Sequence, residues 1–84
     1  MAELIYFTAA WCSPCKAILP KVTKAAEAAG LLVRVVDIDG PDQKLAATYG
    51  VTSVPTVILP DGRPIHPATM PWSAVRKMIE EAAR

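Results

Sequence analysis

The 84-residue sequence predicts an α/β fold, a four-stranded mixed sheet with three helices, and three observations carry that prediction. Two short apolar runs, residues 4–8 (LIYFT) and 31–38 (LLVRVVDI), flank a long helical run that extends to Ala29. Further on, two strand-like segments are separated by Pro60-Asp61-Gly62-Arg63, which is turn chemistry. A last amphipathic run closes the chain. The order is β-α-β-α-β-β-α, and 84 residues make one domain, residues 1–84.

The first strand, residues 4–8, has no polar gaps, as expected of a strand buried on both faces. The helix after it places Cys15, Ile18, Leu19, Val22 and Ala26 on one side and leaves Lys16, Lys24 and Glu27 for water. Pro20 falls inside this pattern, removes a backbone hydrogen bond and should kink the helix. Gly30 is a good helix stop. Two strands separated by a helix make a parallel pair with a right-handed crossover. Arg34 and Asp37 interrupt the second strand, which favours a sheet edge over its centre.

Asp39-Gly40-Pro41 reads as a turn and the start of a second helix, with Leu45 and Tyr49 an i,i+4 pair and Gly50 its stop. Residues 56–59 (TVIL) are the third strand. Ile65-His66 forms a short fourth, held to an edge by Pro64 and Pro67. The last helix starts over residues 69–71. Trp72, Val75, Ile79 and Ala82 share its apolar face, and Arg76–Glu80 and Glu80–Arg84 are spaced as charge pairs on the other. Met70 and Met78 read as packing filler.

Several function classes are set aside by composition. A formal charge of +1, with no Lys/Arg block and no aromatic-basic interleaving, argues against nucleic acid as a partner. No apolar run approaches a membrane span, and the N-terminus lacks the charged and apolar regions of a secretion signal. A cytoplasmic location is therefore expected, although a secreted chain with its signal removed looks the same.

Both cysteines lie in Trp11-Cys12-Ser13-Pro14-Cys15, between the first strand and its helix. The spacing lets one thiol attack a disulfide and the other resolve the mixed disulfide with little backbone movement. A thiol at a helix N-terminus meets unpaired N–H groups and the positive end of the dipole, which favour the thiolate. Pro14 suits that first turn. Cys12 is read as the exposed nucleophile and Cys15 as the more buried resolving thiol. Blander readings fare worse. Half a zinc site lacks ligands, since only His66 joins the two cysteines, so no metal is expected. A purely structural disulfide closing so small a loop constrains the unfolded chain little. Trp11 reads as part of a flat apolar docking surface, Trp72 as core, His66 as an edge residue and Lys16 as a solvated one.

The order of elements, the Cys-x-x-Cys at the start of the first helix and Val54-Pro55-Thr56 before the third strand together resemble the thioredoxin superfamily. Trp11-Cys12-Ser13-Pro14-Cys15-Lys16 is similar to its active-site motif with Ser13 where Gly is usual, and Pro20 matches its kink proline. The likeness covers almost the whole chain, without the extra N-terminal strand and helix of full thioredoxins. It implies a cis Val54-Pro55 peptide whose Val54 backbone faces an extended substrate, in place of an ordinary edge-strand proline. It also implies a substrate surface of Trp11, Ser13, Pro14, Val54 and Pro55. The family's buried acid on the first strand corresponds to Tyr6, which cannot act as a carboxylate base. Water, Asp37 or Asp39 is left for that task.

The function expected is reduction of protein disulfides by a monomer, with Cys12–Cys15 as the redox-active disulfide and no other cofactor. Its reductant is a thioredoxin-reductase-like protein or glutathione. The Ser-Pro pair resembles the reducing members more than the His-containing oxidases and isomerases. Three alternatives stay open: a glutathione-dependent glutaredoxin, a donor dedicated to one enzyme such as a ribonucleotide reductase, and a non-redox protein-binding module. The glutaredoxin reading lacks a Gly-Gly-x-Asp-like segment after the third strand.

Overall fold

The computed structural model describes residues 2–84. Strand β1 (Glu3–Thr8) leads into helix α1 (Ser13–Ala28), then strand β2 (Leu32–Asp37) and a short helix α2 (Lys44–Thr48). Strands β3 (Thr56–Ile58) and β4 (Pro64–Ile65) and helix α3 (Trp72–Ala82) complete the chain. The sheet order is β2-β1-β3-β4. β1 and β2 run parallel, whereas β1–β3 and β3–β4 are antiparallel, so the sheet is mixed as expected.

β1 is central, and its side chains alternate between two cores. Leu4 and Tyr6 join Val57, Cys15, Val22, Ala26, Val75 and Ile79 on the face covered by α1 and α3. Ile5 and Phe7 join Val36 and Ile58 on the opposite face, where Leu45, Ala46 and Val51 pack against them. Phe7 also meets Tyr49, with ring centroids 6.2 Å apart. Four consecutive buried residues, Leu4 to Phe7, thus serve both faces, which is why no exposed position falls between Glu3 and Thr8.

β2 lies at an edge, as Arg34 and Asp37 require. Only Val36 of this strand is buried, and Leu32 and Val35 are about half exposed. α1 runs on through Pro20 and ends before Gly30, whose φ of +79° suits a residue without a Cβ.

Four expectations need correction. The fourth strand is Pro64–Ile65 rather than Ile65-His66, because the His66 carbonyl is taken up in a turn by the Thr69 N–H. α2 starts at Lys44 rather than beside Pro41, because residues 39–43 form successive turns, with Gly40 N–H bonded to Asp37 O and Gln43 N–H to Gly40 O. Trp72 packs against the core but is only half-buried, since it opens α3 at the rim of the α1–α3 seam. The charge pairs foreseen on α3 do not close. Among the described residues the ion pairs are Arg34–Asp42 and Arg63–Asp61. Exposed pairs gain too little to hold two long side chains in one geometry.

α3 is held mainly through Val75 and Ile79, both fully buried. Truncating Ile79 to Ala is expected to cost about 3 kcal/mol. That is a large fraction of the stability of so small a domain. Urea denaturation should show it as a lower midpoint at unchanged slope.

Candidate active site

The C-terminal end of β1 delivers the chain through Ala9 and Ala10 to Cys12, which is the N-cap of α1. Cys12 has extended φ and ψ of −98° and 99°, so the helix begins at Ser13 with Pro14 in its first turn. The Cys15 N–H points back to Cys12 Sγ at 3.3 Å. The sulfur therefore does what a serine or aspartate oxygen does at other N-caps: it accepts from an otherwise unpaired first-turn N–H. Cys12 and Cys15 are joined as a disulfide.

Cys15 is fully buried and Cys12 is 5% exposed. Cys12 is thus less open than the sequence suggests, because Val54 O lies 3.9 Å from its sulfur and covers it from the other loop. The residues around it are open instead. Trp11 is 69% exposed, and Ser13 and Pro14 are exposed beside it. Of the expected site residues, the fold brings Cys12, Cys15 and Val54 together. It sets Trp11, Ser13 and Pro14 on the surrounding surface and buries Pro55 beneath Val54. The Val54–Pro55 peptide is cis.

Hydrogen bonds hold this surface in place. The Trp11 indole N–H donates to Asp39 Oδ2 at 2.9 Å, and the Asp39 N–H donates to Asp37 Oδ1 at 2.8 Å. Both carboxylates are therefore engaged at the surface. Behind the Val54 loop, the buried Thr56 hydroxyl donates to Ser53 O at 2.7 Å, and His66 Nδ1 lies 3.3 Å from the same oxygen. A hydroxyl has one proton to give, so the imidazole is the donor in the second contact. His66 thus lies just past β4 rather than in the edge strand, and it braces the loop.

The group that reaches the cysteines from within is Tyr6. Its hydroxyl donates to Cys15 O at 2.8 Å, and burial pushes the phenol up to about 12. At neutral pH it is a fixed donor and holds no negative charge. The sequence points to Tyr6 at this depth but gives no sign of the partners of Trp11, Thr56 and His66. The one signal available was that each is a donor flanking the motif or the loop.

Among the described residues no cluster of three or more His, Cys, Asp or Glu side chains is arranged to hold a metal ion. No helix among them is long and apolar enough to cross a membrane.

A family model described as thioredoxin matches residues 2–80. The chain belongs to the thioredoxin family. It is similar to the thioredoxin of Bacillus subtilis, with 33% identity over 79 residues that cover 89% of this chain and 76% of that one. It is also similar to human protein disulfide-isomerase A2, with 39% identity over 71 residues. That match covers 79% of this chain but only 14% of the isomerase. Among solved structures, thioredoxin 1 from Thermosipho africanus superposes with a TM-score of 0.81 at 30% identity, covering 94% of this chain and 91% of that one. The thioredoxin fold thus accounts for the mixed sheet, the three helices and the placement of the Cys-x-x-Cys pair.

Proposed function

We propose that this chain reduces disulfides in protein substrates, with Cys12 as the nucleophile and Cys15 as the resolving thiol. The observation that carries the assignment is the N-cap position of Cys12, with the Cys15 N–H 3.3 Å from its sulfur. In the reduced protein that N–H and the helix dipole favour negative charge on Cys12 Sγ. The thiolate attacks one sulfur of the substrate disulfide, forms a mixed disulfide and expels the other sulfur as a thiolate. Cys15 then gives up its proton and attacks Cys12 Sγ. The Cys12–Cys15 disulfide forms, and the second substrate sulfur leaves as a thiolate that takes up a proton. Two electrons pass to the substrate, and a reductant returns them to the pair.

The substrate is proposed to lie as an extended segment over Trp11, Ser13, Pro14 and Val54, with Pro55 shaping the loop from beneath. The Val54 backbone, whose carbonyl is 3.9 Å from Cys12 Sγ, offers it strand-like hydrogen bonds. The proposed reductant is a thioredoxin-reductase-like protein or glutathione. The proposed setting is the cytoplasm, where thiols stay reduced.

The test is a trap. Cys15→Ser should accumulate a mixed disulfide through Cys12 with an unfolded disulfide protein, visible by mass and released by dithiothreitol. If no adduct forms, the assignment of the two roles is wrong.

The similarity to a protein disulfide-isomerase favours a second reading, rearrangement of substrate disulfides. The reduction potential separates the two. A reductase is expected at roughly −220 to −270 mV, whereas a value above about −180 mV indicates an isomerase or oxidase.

A further inference from the structure

A trough of about 330 Å³ opens on the outer seam between α1 and α3, away from the cysteines. Ala25, Ala28 and the half-buried Trp72 form its apolar part, Lys21 and Lys24 border it from α1, and Arg76 borders it from α3. The Lys21 ammonium lies 6.0 Å from the centre of the Trp72 ring, at the outer range of a cation–π contact. No acidic residue lines the trough. Glu27 and Glu80 belong to the same two helices but pair with none of the three cations, since the ion pairs among the described residues lie elsewhere.

This arrangement is unbalanced in two respects. Trp72 is only half-buried in a trough that it lines with two alanines, and the three cations lining the same trough have no acidic residue among them. One occupant relieves both: an apolar side chain seated on Trp72, with carboxylates on either side of it. The cations stand on both rims, and Lys21 and Lys24 are about 4.5 Å apart along the axis of α1. A single small headgroup engages part of that set, whereas carboxylates spaced along a chain reach all of it.

We propose that the trough docks an acidic segment of a partner protein, anchored by one apolar side chain. The trough begins nearly two helical turns beyond Cys15, so its occupant leaves Cys12 free. The proposal does not depend on the reductase assignment, and its test contains no reductant.

The probe is a capped pentapeptide, acetyl-Glu-Glu-Leu-Glu-Glu-amide, titrated into the oxidised 15N-labelled protein. The two tryptophans give two indole N–H resonances, and Trp72→Phe assigns them. The expected result is a saturable shift of the Trp72 resonance with the Trp11 resonance unmoved. The all-Gln peptide should bind at least about tenfold more weakly, and raised ionic strength should weaken the acidic one. Lys24→Glu and Arg76→Glu, both exposed, should each weaken it about fivefold without loss of fold. A single branched acid, 4-methylpentanoate, should also bind at least about tenfold more weakly than the peptide. Equal affinity for that acid makes this a small-acid site and overturns the proposal. So do equal affinity for the all-Gln peptide, movement of Trp11 instead of Trp72, and no shift at about 5 mM peptide.

Discussion

Replacing Cys12 with serine is expected to abolish disulfide reduction, lowering the rate by more than about 10³-fold, while leaving the fold intact. The two halves of that expectation come from one geometry. Serine is a preferred N-cap residue, and its oxygen can accept the Cys15 N–H that Cys12 Sγ accepts at 3.3 Å. The helix start is therefore kept and only the sulfur is lost. A hydroxyl cannot form the mixed disulfide, so no first step remains. Cys15→Ser also lowers turnover, but it should leave the first step measurable and stop at the adduct. An insulin-reduction assay run beside circular dichroism on both variants separates a chemical loss from a structural one. In the reduced wild-type protein, alkylation at mildly acidic pH should mark Cys12 before Cys15, since Cys15 is fully buried. Labelling of Cys15 first would reverse the proposed roles.

Much of this fold is legible in the sequence because the signals that set it are local and reinforce one another. β1 shows as an unbroken apolar run, and the edge position of β2 shows in Arg34 and Asp37. The edge position of β4 shows in Pro64, its first residue, and in Pro67 just beyond it. The Cys-x-x-Cys pair is legible for the same reason, since its spacing and its place at a helix start are read within five residues. What the sequence conceals is contact over distance. Trp11 and Asp39 are 28 residues apart, and nothing in either residue names the other as its partner. The Thr56–His66 contact depends on the register of β3 against β4, and that register is set by packing and turn geometry. Trp72 has the helical spacing of a core residue, but it sits at the open end of the α1–α3 seam. Periodicity reports the face of a residue and is silent about how far along that face the neighbouring helix extends. α2 is displaced for another reason. Asp39-Gly40-Pro41 serves a turn as well as a helix start, and here it is taken up in turns.

Tyr6 carries the second large expectation, a loss of stability between pH 10 and pH 12 that Tyr6→Phe removes. The phenol is fully buried on the α1–α3 face, and burial alone pushes it up to about 12 from its ordinary 10. A group whose folded pKa is raised contributes stability that is complete below its unfolded pKa. That stability is lost as pH climbs towards the folded value. Two units correspond to about 3 kcal/mol, a large share of what holds an 84-residue domain together. Urea midpoints measured from pH 8 to pH 12 should therefore fall more steeply for the wild type than for Tyr6→Phe. At neutral pH the same variant should be only about 1 kcal/mol less stable, the worth of the hydrogen bond to Cys15 O. The chemical consequence follows from the same proton. A donor that stays protonated cannot accept the proton of Cys15, and Asp37 and Asp39 are engaged at the surface. Resolution of the mixed disulfide is then expected to run through Cys15 thiolate formed by proton exchange with water. Its rate should rise about tenfold per pH unit below the pKa of that thiol. Stopped-flow measurement should find the same slope in Tyr6→Phe, because the phenol orients the Cys15 carbonyl and moves no proton. A slope that flattens in the variant would show that the phenol does take part in the transfer.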